Sequence, residues 1–468
     1  MRRLTLPLAA VRARLLAPAV AAAAGLTAAA PLAGPLHAQS AAQEPARITM
    51  ETYTLPNGLE VILAEDHSSQ VVAVDVWYDV GSRNERPGRT GFAHLFEHMM
   101  FQGSAHVKKS EHIQLVQRAG GNVNGSTADD RTNYFEALPS NRLNLGLWLE
   151  ADRMRSLAVT QANLDNQREA VKEERRLRID NQPYQKAFSE ALPQAFDPAT
   201  CFGYAHQGIG SMEDLNATKL GDVQAFFKLY YAPNNATLVV TGDFQPAEAK
   251  RLIETYFGGI PRVEDPPPVT CAQQFNRGQK RLTFPDAKAT LPAVVHTYLV
   301  PEFKSDDSPA LSLLATILGQ GESSRLNVRL GREAKATLQA QALGGLGPRR
   351  GPNLFVAYGV ANQGVPADSV DRLLAAEVAR VAQGGVTDAE LTKAKNAYRA
   401  GLIEGRQQAL NVAEAIHTAK MFLGSHEAVN TELARYMKVT QEDLKRVATT
   451  YLRPENSLII TIVPEAAK

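Results

Sequence analysis

The chain has 468 residues, of which 44% are hydrophobic and 21% are charged, and its formal net charge is +1. This length exceeds what one hydrophobic core usually covers, so we expect at least two domains of the ordinary globular kind. The near-neutral charge and the lack of long basic runs argue against binding of nucleic acid.

The N-terminal segment has the pattern of a secretory signal peptide. Four arginines within the first fourteen positions precede an Ala- and Leu-rich stretch from Leu15 to Leu36, which ends near the small residue Ala38. We therefore predict a signal peptide over residues 1–38 and a periplasmic location. The alternative is a membrane anchor, which the prolines and glycines inside the stretch disfavour. Association with a membrane is expected only if this segment is retained.

A His-x-x-Glu-His motif stands at residues 94–98, within a run of helix-forming residues that begins after Gly91. Positions four apart share one helix face, so His94 and His98 can bind the same metal ion. Glu97 points to nearly the same side, where a general base would lie. An ordinary polar helix face is the alternative. The apolar neighbours predict burial, however, and an unpartnered buried His-Glu-His group would be costly, which favours an inverted zinc-binding motif.

A catalytic zinc site has three protein ligands and keeps a further position for water or substrate. The third ligand is expected on a second helix, which the charged segment 163–178 predicts. Its candidates are Glu169, Glu173 and Glu174. Composition alone does not choose among them, because most glutamates on a charged helix face solvent.

Two cysteines, Cys201 and Cys271, lie in the chain after the predicted signal peptide. In an exported protein they could form a disulfide that ties a loop to the segment between the two halves of the chain. Two buried free thiols are the alternative, since sequence separation does not reveal the Cα–Cα distance.

Two parts of the sequence repeat each other at an offset of 221 positions. Each copy predicts a helix, a Pro-Asn turn and a β-branched strand, and the strand at 71–78 matches 292–299 at the same offset. The matched pairs are Asp222 and Asp443, Tyr230 and Tyr451, Pro233 and Pro454, and Asn235 and Asn456. We therefore predict an α+β fold with two homologous domains, each a mixed β-sheet covered by helices.

A proline-rich segment after Pro261 gives the predicted domain boundaries. Proline favours an extended connector, so residues 263–280 are predicted to be a linker. It separates an N-terminal catalytic domain at 48–262 from a C-terminal domain at 281–468. Shifting the motif by 221 positions gives Ala315, Leu318 and Gly319, so the C-terminal domain is predicted to lack a metal site.

Beyond these patterns, the chain resembles the pitrilysin/insulinase family of zinc metallopeptidases. It is most similar to the subfamily of the mitochondrial processing peptidase and the short bacterial peptidases. The resemblance begins near residue 54 and reaches the last predicted strand. It rests on the His-x-x-Glu-His motif and on the segments AGGNVNGSTADDRTNYFEALP, NQREAVKEERR and FFKLYYAPNNATLVVTGDF.

The resemblance implies that the chain forms half of a clamshell-like chamber. It also implies a third zinc ligand 76 residues after the second histidine, which is Glu174. The family often has a glutamate seven residues before that ligand, in the layer of groups that surrounds the ligands. Gln167 holds this place here, and its amide can hydrogen-bond a ligand without supplying charge.

The stretch 122–127 resembles the edge strand on which the family lays a substrate peptide as an added strand. Asn124, Gly125, Ser126 and Thr127 are therefore predicted to bind substrate. For Asn124 and Thr127, ordinary polarity at a strand end is the alternative.

Family members with a complete active site carry an Arg and a Tyr in the second half, where they hold the substrate carbonyl. Arg325 is predicted to bind substrate in this way. The expected tyrosine position falls near 338–339, and no tyrosine stands between Tyr298 and Tyr358. The resemblance therefore implies a homodimer, or a heterodimer with a homologous subunit that supplies the missing group.

Together these features predict a zinc-dependent endopeptidase that cleaves short or unfolded peptides in the periplasm. One Zn²⁺ per chain is expected on His94, His98 and Glu174, with Glu97 as the general base for the attacking water. Two alternatives stay open: a non-catalytic scaffold subunit, and a catalytic subunit active only with a partner that bears the Arg and Tyr. A different zinc hydrolase, such as an amidase, is a weaker alternative.

Overall fold

The computed structural model describes residues 44–465, in which two β-sheets are surrounded by helices. The signal peptide predicted at 1–38 lies outside the described residues. Within residues 44–465, no helix combines the length and the apolar character that a membrane crossing requires.

The first sheet has six strands in the order β1-β2-β6-β3-β5-β4. The strands are β1 Glu51–Thr54, β2 Glu60–Glu65, β3 Val71–Tyr78, β4 Asn122–Thr127, β5 Thr132–Pro139 and β6 Ala236–Gly242. β2 and β6 pair in parallel and the other neighbours are antiparallel, so the sheet is mixed. The central strand β3 is rich in valine, and seven of its eight residues are buried, as expected of a strand covered on both faces.

The second sheet has five strands in the order β7-β11-β8-β10-β9. These are β7 Lys280–Asp286, β8 Ala293–Val300, β9 Thr337–Leu343, β10 Asn353–Ala361 and β11 Ser457–Pro464. Again one pair, β7 with β11, is parallel and the rest are antiparallel. The predicted fold class, two related α+β halves with mixed sheets, is confirmed.

Fourteen α-helices lie in the described part of the chain. In the N-terminal half they are α1 Phe92–Met99, α2 Glu111–Arg118, α3 Leu143–Ser156, α4 Gln161–Arg175, α5 Gln185–Ala191, α6 Met212–Ala217, α7 Leu220–Tyr230 and α8 Pro246–Phe257. In the C-terminal half they are α9 Ser308–Gly319, α10 Ala367–Gly384, α11 Asp388–Gly405, α12 Ala409–Leu423, α13 Glu432–Met437 and α14 Gln441–Tyr451.

The repeat read from the sequence corresponds to the observed elements. α7 and α14 begin and end at positions that differ by the predicted offset, and each precedes a short 3₁₀ turn and an interior strand, β6 or β11. The matched asparagines have the same role in both halves. The amide of Asn235 donates to the carbonyl of Tyr230 at 2.8 Å, and the amide of Asn456 donates to Tyr451 at 2.9 Å. Each asparagine therefore closes the C-terminus of its helix.

The two halves exchange helices across their boundary. Helix α5 of the N-terminal half packs its buried residues Ala187 and Ala191 into the core of the second sheet. Conversely, Ile416 and Ala419 of α12 pack against the first sheet. Each sheet therefore has one face covered by the other half of the chain.

A disulfide joins Cys201 to Cys271, whose Cα atoms are 4.2 Å apart. Of the two possibilities left open by the sequence, the structure has the disulfide. It ties the N-terminal half to residues 261–279, a stretch without helix or strand that ends where β7 begins. This connecting segment is therefore fastened at its middle as well as at its ends.

Candidate metal centre

The short helix α1 carries the His-x-x-Glu-His motif. Leu95, Phe96 and Met99 are fully buried in the core of the N-terminal half, and this burial fixes the rotation of the helix. His94, Glu97 and His98 are only partly buried and face away from that core. α1 lies between α4 and the edge strand β4, so these three side chains open toward the space between those two elements.

The start of α1 depends on Gly91, whose φ is +86°. A Cβ atom at this position would lie 2.7 Å from the carbonyl oxygen of Ile209, so neither the backbone conformation nor the space admits a side chain. The N–H groups of Gly91 and Ala93 both donate to the buried carboxylate of Glu85 at 2.8 Å. The first turn of the motif helix is therefore held by a side chain from outside the helix.

Helix α4 brings Glu174 to the two histidines. Its Oε2 lies 3.0 Å from Nε2 of His98 and 3.6 Å from Nε2 of His94, and the three ligand atoms lie within 4.8 Å of one another. Ligands at 2.0–2.1 Å from a tetrahedral zinc ion stand about 3.3 Å apart. The donor set is two imidazoles and one carboxylate, with no fourth ligand in this group among residues 44–465. The spacing and the donor set both fit a catalytic zinc ion.

The protonation states of this group also suit a metal ion, which needs neutral imidazoles and an ionised carboxylate. Burial, together with the neighbouring His98, lowers the pKa of His94 to about 4. The hydrogen bond with His98 lowers the pKa of Glu174 below its usual value. At neutral pH the site therefore offers an unprotonated His94 and a negative charge on Glu174.

Glu174 is held from behind by Arg178. Nη1 of Arg178 lies 2.8 Å from Oε1 of Glu174, which leaves Oε2 turned toward the histidines. Arg178 belongs to a π-helical turn at Arg176–Asp180 that continues α4. Arg178 was not among the residues predicted from the sequence. Its place four residues after Glu174, on the same helix face, would have indicated an ion pair between the two.

Glu97 lies beside the three ligand residues and lines the same cavity. Burial raises the pKa of its carboxyl group, while a hydrogen bond with the Thr127 side chain opposes the rise. A carboxylate whose pKa is raised toward neutrality is a better proton acceptor than an exposed one. Its position and its environment are thus those of a general base.

The cavity at this site has a volume of about 580 Å³. One wall is residues 123–127 of β4. Within residues 44–465, β4 pairs only with β5, which leaves the other edge of β4 open. The predicted substrate-binding residues Asn124, Gly125, Ser126 and Thr127 all line this wall. The structure therefore brings these four residues together with the three ligand candidates and Glu97.

Gln167 also lines the cavity but does not hydrogen-bond a ligand candidate. Its side-chain amide donates to Oδ1 of Asn166 at 2.7 Å. The ring nitrogen Nδ1 of His94 is buried without a hydrogen-bond partner in the described part of the chain. Within the described residues, no hydrogen bond to Nδ1 therefore orients the His94 ring.

Arg325 does not line this cavity. Its guanidinium binds both carboxylate oxygens of Glu390, at 2.7 and 2.8 Å, and donates to the carbonyl of Gly385 at 3.1 Å. Within one chain it therefore stabilises the start of α11, and its role in substrate binding stays a prediction.

A second group of possible metal ligands among the described residues consists of His112, Glu136 and Glu150. All three are fully or almost fully buried. The guanidinium of Arg153 forms ion pairs with both glutamates, and burial raises the pKa of both carboxyl groups. This cluster is therefore a buried ion-pair network.

Comparison with known proteins agrees with this geometry. Residues 60–200 match the family described as "Insulinase (Peptidase family M16)", and residues 219–398 match "Peptidase M16 inactive domain". The chain is 30% identical to the zinc protease PqqE of Helicobacter pylori over 88% of this chain and 93% of that protein. It is 25% identical to a probable mitochondrial-processing peptidase subunit beta of Arabidopsis thaliana, over 88% and 78% of the two chains.

Solved structures show the same fold. A protease from Helicobacter pylori superimposes with a TM-score of 0.85 and 28% identity, over 90% of this chain and 100% of that one. The periplasmic protease PqqL of Escherichia coli gives a TM-score of 0.73 at 18% identity, over 90% of this chain but only 48% of that one. Pitrilysin gives 0.71 at 15% identity and is covered over 46% of its length. The chain belongs to the insulinase family, peptidase family M16, and has the fold of one half of a pitrilysin-like clamshell.

Proposed function

We propose that this protein is a zinc-dependent endopeptidase of short or unfolded peptides. His94, His98 and Glu174 would hold one Zn²⁺ per chain. The observation that carries the proposal is the convergence of these three ligand atoms within 4.8 Å, beside Glu97 and the open edge of β4. Several relatives named zinc proteases support the class of reaction.

A bound zinc ion supplies Lewis-acid activation of water and of the scissile carbonyl. Glu97 accepts the proton of the attacking water on its carboxylate and then gives it to the departing amine. The edge of β4 aligns an extended peptide by backbone hydrogen bonds, which any unfolded sequence can make. Burial keeps His94 unprotonated, as a zinc ligand must be, and it raises the pKa of Glu97, which makes the Glu97 carboxylate a better proton acceptor.

The working assembly is proposed to contain two halves, in a homodimer or a heterodimer with a homologous subunit. This chain covers 48% of PqqL and 46% of pitrilysin, so one chain of those proteins corresponds to about two of these. In a heterodimer, the homologous subunit would supply the tyrosine that the predicted position near 338–339 lacks in this chain. We also propose the boundaries 48–262 and 281–468 for the two domains, and a periplasmic location after removal of residues 1–38.

A non-catalytic scaffold is the second candidate function. The match of residues 219–398 to the inactive domain of the family favours it for the C-terminal half. The retention of His94, Glu97, His98 and Glu174 together argues against it for the whole chain, because a scaffold needs none of them.

The test measures zinc content and cleavage of a fluorescence-quenched, unstructured peptide for the wild type and for Glu97→Gln. We expect one zinc per chain in both proteins, and a loss of cleavage of about 10²- to 10⁴-fold in the variant. A wild type that binds zinc and cleaves only after a homologous subunit is added would support the heterodimer. Failure to bind zinc under metal-replete conditions would overturn the proposal in favour of the scaffold.

A further inference from the structure

A buried polar group lies directly behind the substrate strand β4, and Asn133 is at its centre. Asn133 is fully buried at the start of β5. Its Oδ1 accepts the hydroxyl of Ser126 from β4 at 2.7 Å. Its Nδ2 donates to Oε1 of Glu414 at 2.7 Å and, more weakly, to Oδ1 of Asp75 at 3.3 Å. One amide therefore connects β4 to a side chain 281 residues away.

Arg131 reinforces the same end of β4. Its Nη1 donates to the carbonyl oxygen of Ser126 at 2.8 Å and to Oδ1 of Asn133 at 3.0 Å. Its guanidinium lies over the ring of Trp77 at 4.8 Å, which restricts it to this place. The side chain of Ser126 is thus held by Asn133, and its backbone carbonyl is held by Arg131.

Glu414 belongs to α12, the helix that the C-terminal half places on the first sheet. Three residues further on, His417 stacks on Trp77 with ring centres 4.8 Å apart and donates to the backbone carbonyl of Asp75 at 3.1 Å. α12 is therefore docked by several contacts, among which Glu414 reaches the amide that holds Ser126.

We propose that Glu414 is a positioning residue for substrate binding, through which the C-terminal half orders the substrate strand of the N-terminal half. The chain of contacts is Glu414 to Asn133 to Ser126. This inference rests on the proposed function, because it requires that β4 receive the peptide. It gives a part in substrate binding to the half of the chain that carries none of the proposed metal ligands.

The effect of Glu414 on Ser126 depends on the orientation of the buried side-chain amide of Asn133. With Glu414 in place, Nδ2 of Asn133 has a strong acceptor and Oδ1 is left for Ser126 and Arg131. Without Glu414, the acceptor that remains for Nδ2 within the described residues is the more distant Asp75. A buried donor without a good partner is costly, so the amide rotates or admits water and loosens its hold on Ser126.

The expected signature separates binding from chemistry. Among the described residues, no hydrogen bond or ion pair joins Glu97, His94 or His98 to Asn133 or Glu414, and Arg131 acts on Glu97 through its charge. Because Glu414→Ala leaves Arg131 in place, we expect the rate of the chemical step to stay near that of the wild type. Disorder at Ser126 weakens the added-strand contact in the ground state and the transition state alike, which raises KM. We expect Glu414→Ala to raise KM about tenfold, the equivalent of one hydrogen bond, with kcat changed less than twofold.

The control is Lys420→Ala on the same helix. Lys420 also joins α12 to the first sheet, through Glu60 and the hydroxyl of Thr237, but it is remote from β4. If general loosening of α12 were the cause, this variant would raise KM as well. We expect its KM to equal that of the wild type.

The experiment measures kcat and KM for a quenched unstructured peptide with the full chain and any subunit it needs. Glu414→Gln keeps the acceptor and is expected to restore KM. Glu414→Asp keeps the charge, but its shorter side chain moves the acceptor away from Asn133, so we expect it to raise KM. If Glu414→Ala does not fold, Glu414→Asp replaces it in the experiment. Binding of a labelled peptide in a Glu97→Gln background checks that the change is in affinity.

A double-mutant cycle decides whether the effect passes through β4. Ser126→Ala removes the other end of the chain of contacts, so the double variant with Glu414→Ala should have a KM close to that of either single variant. Equal KM values for wild type, Glu414→Ala and Glu414→Asp would overturn the inference, as would fully additive effects in the cycle. A wild type that cleaves no peptide would instead count against the proposed function.

Discussion

Oε2 of Glu85 accepts a hydrogen bond from the backbone N–H of Gly91 at 2.8 Å, immediately before the motif helix α1. The N–H groups at the start of a helix have no partner within it, and a carboxylate there also meets the positive end of the helix dipole. Glu85 therefore acts as a cap for the helix that carries His94 and His98.

Removal of this cap should destabilise the protein and its metal site together. We expect Glu85→Ala to lower the free energy of unfolding by about 2 kcal/mol, because two buried N–H groups lose their acceptor. Denaturant unfolding of the metal-free protein measures this change, and calorimetric titration with zinc measures the accompanying loss of affinity. Glu85→Gln keeps an acceptor and should lose less. Unchanged unfolding in Glu85→Ala would contradict the capping role.

The choice of Glu174 as third ligand can be tested against its neighbour on the same helix. Glu173 is exposed and pairs with Arg176, whereas Glu174 faces the histidines. We expect Glu174→Gln to lower zinc affinity at least tenfold, since a charged ligand becomes a neutral amide. Glu173→Gln should bind zinc like the wild type. Equal zinc affinities in the two variants would reject Glu174 as a ligand.

The pH dependence of cleavage should report on Glu97. A general base works only when ionised, and burial raises the pKa of Glu97. Cleavage should therefore fall as the pH falls through this raised pKa, at a higher pH than for an exposed glutamate. The Thr127 hydroxyl opposes the rise, so Thr127→Val should move the acid limb of kcat/KM to still higher pH. A limb that stays in place, or moves to lower pH, would contradict this assignment.

The disulfide should contribute to stability without touching the metal centre. It closes a loop between residues 70 positions apart, for which the loop-entropy relation gives about 4 kcal/mol. We expect the double variant Cys201→Ser, Cys271→Ser to unfold at lower denaturant concentration while its zinc affinity is retained. The reason is that both cysteines pack beside the second sheet, whereas the candidate ligands lie on helices packed beside the first sheet. A loss of zinc binding in the folded variant would contradict this separation.

Much of the fold could be predicted because its helices and strands follow from patterns within short segments of the sequence. The 221-residue offset identified α7 with α14 and their following strands, since a repeated helix, turn and strand leave the same residues at the same places. The motif helix was predictable for a similar reason, as positions 94 and 98 share a face whatever surrounds the helix.

The parts that could not be predicted depend on contacts far apart in the chain. Spacing alone left Glu169, Glu173 and Glu174 equivalent, because only the tertiary structure turns one of them toward the histidines. The same holds for Glu85, which reaches α1 from outside it, and for Glu414, which comes from the other half. Neither position has a periodicity that marks it.

The exchange of α5 and α12 between the halves has a consequence for how the chain folds. The first sheet lacks part of its apolar cover until Ile416 and Ala419 of α12 have left the ribosome. The N-terminal half, with its candidate zinc ligands, therefore cannot complete its core until most of the chain has been made. We expect the N-terminal half to be expressed alone only as an aggregation-prone fragment, and expression of the two halves as separate chains to restore solubility.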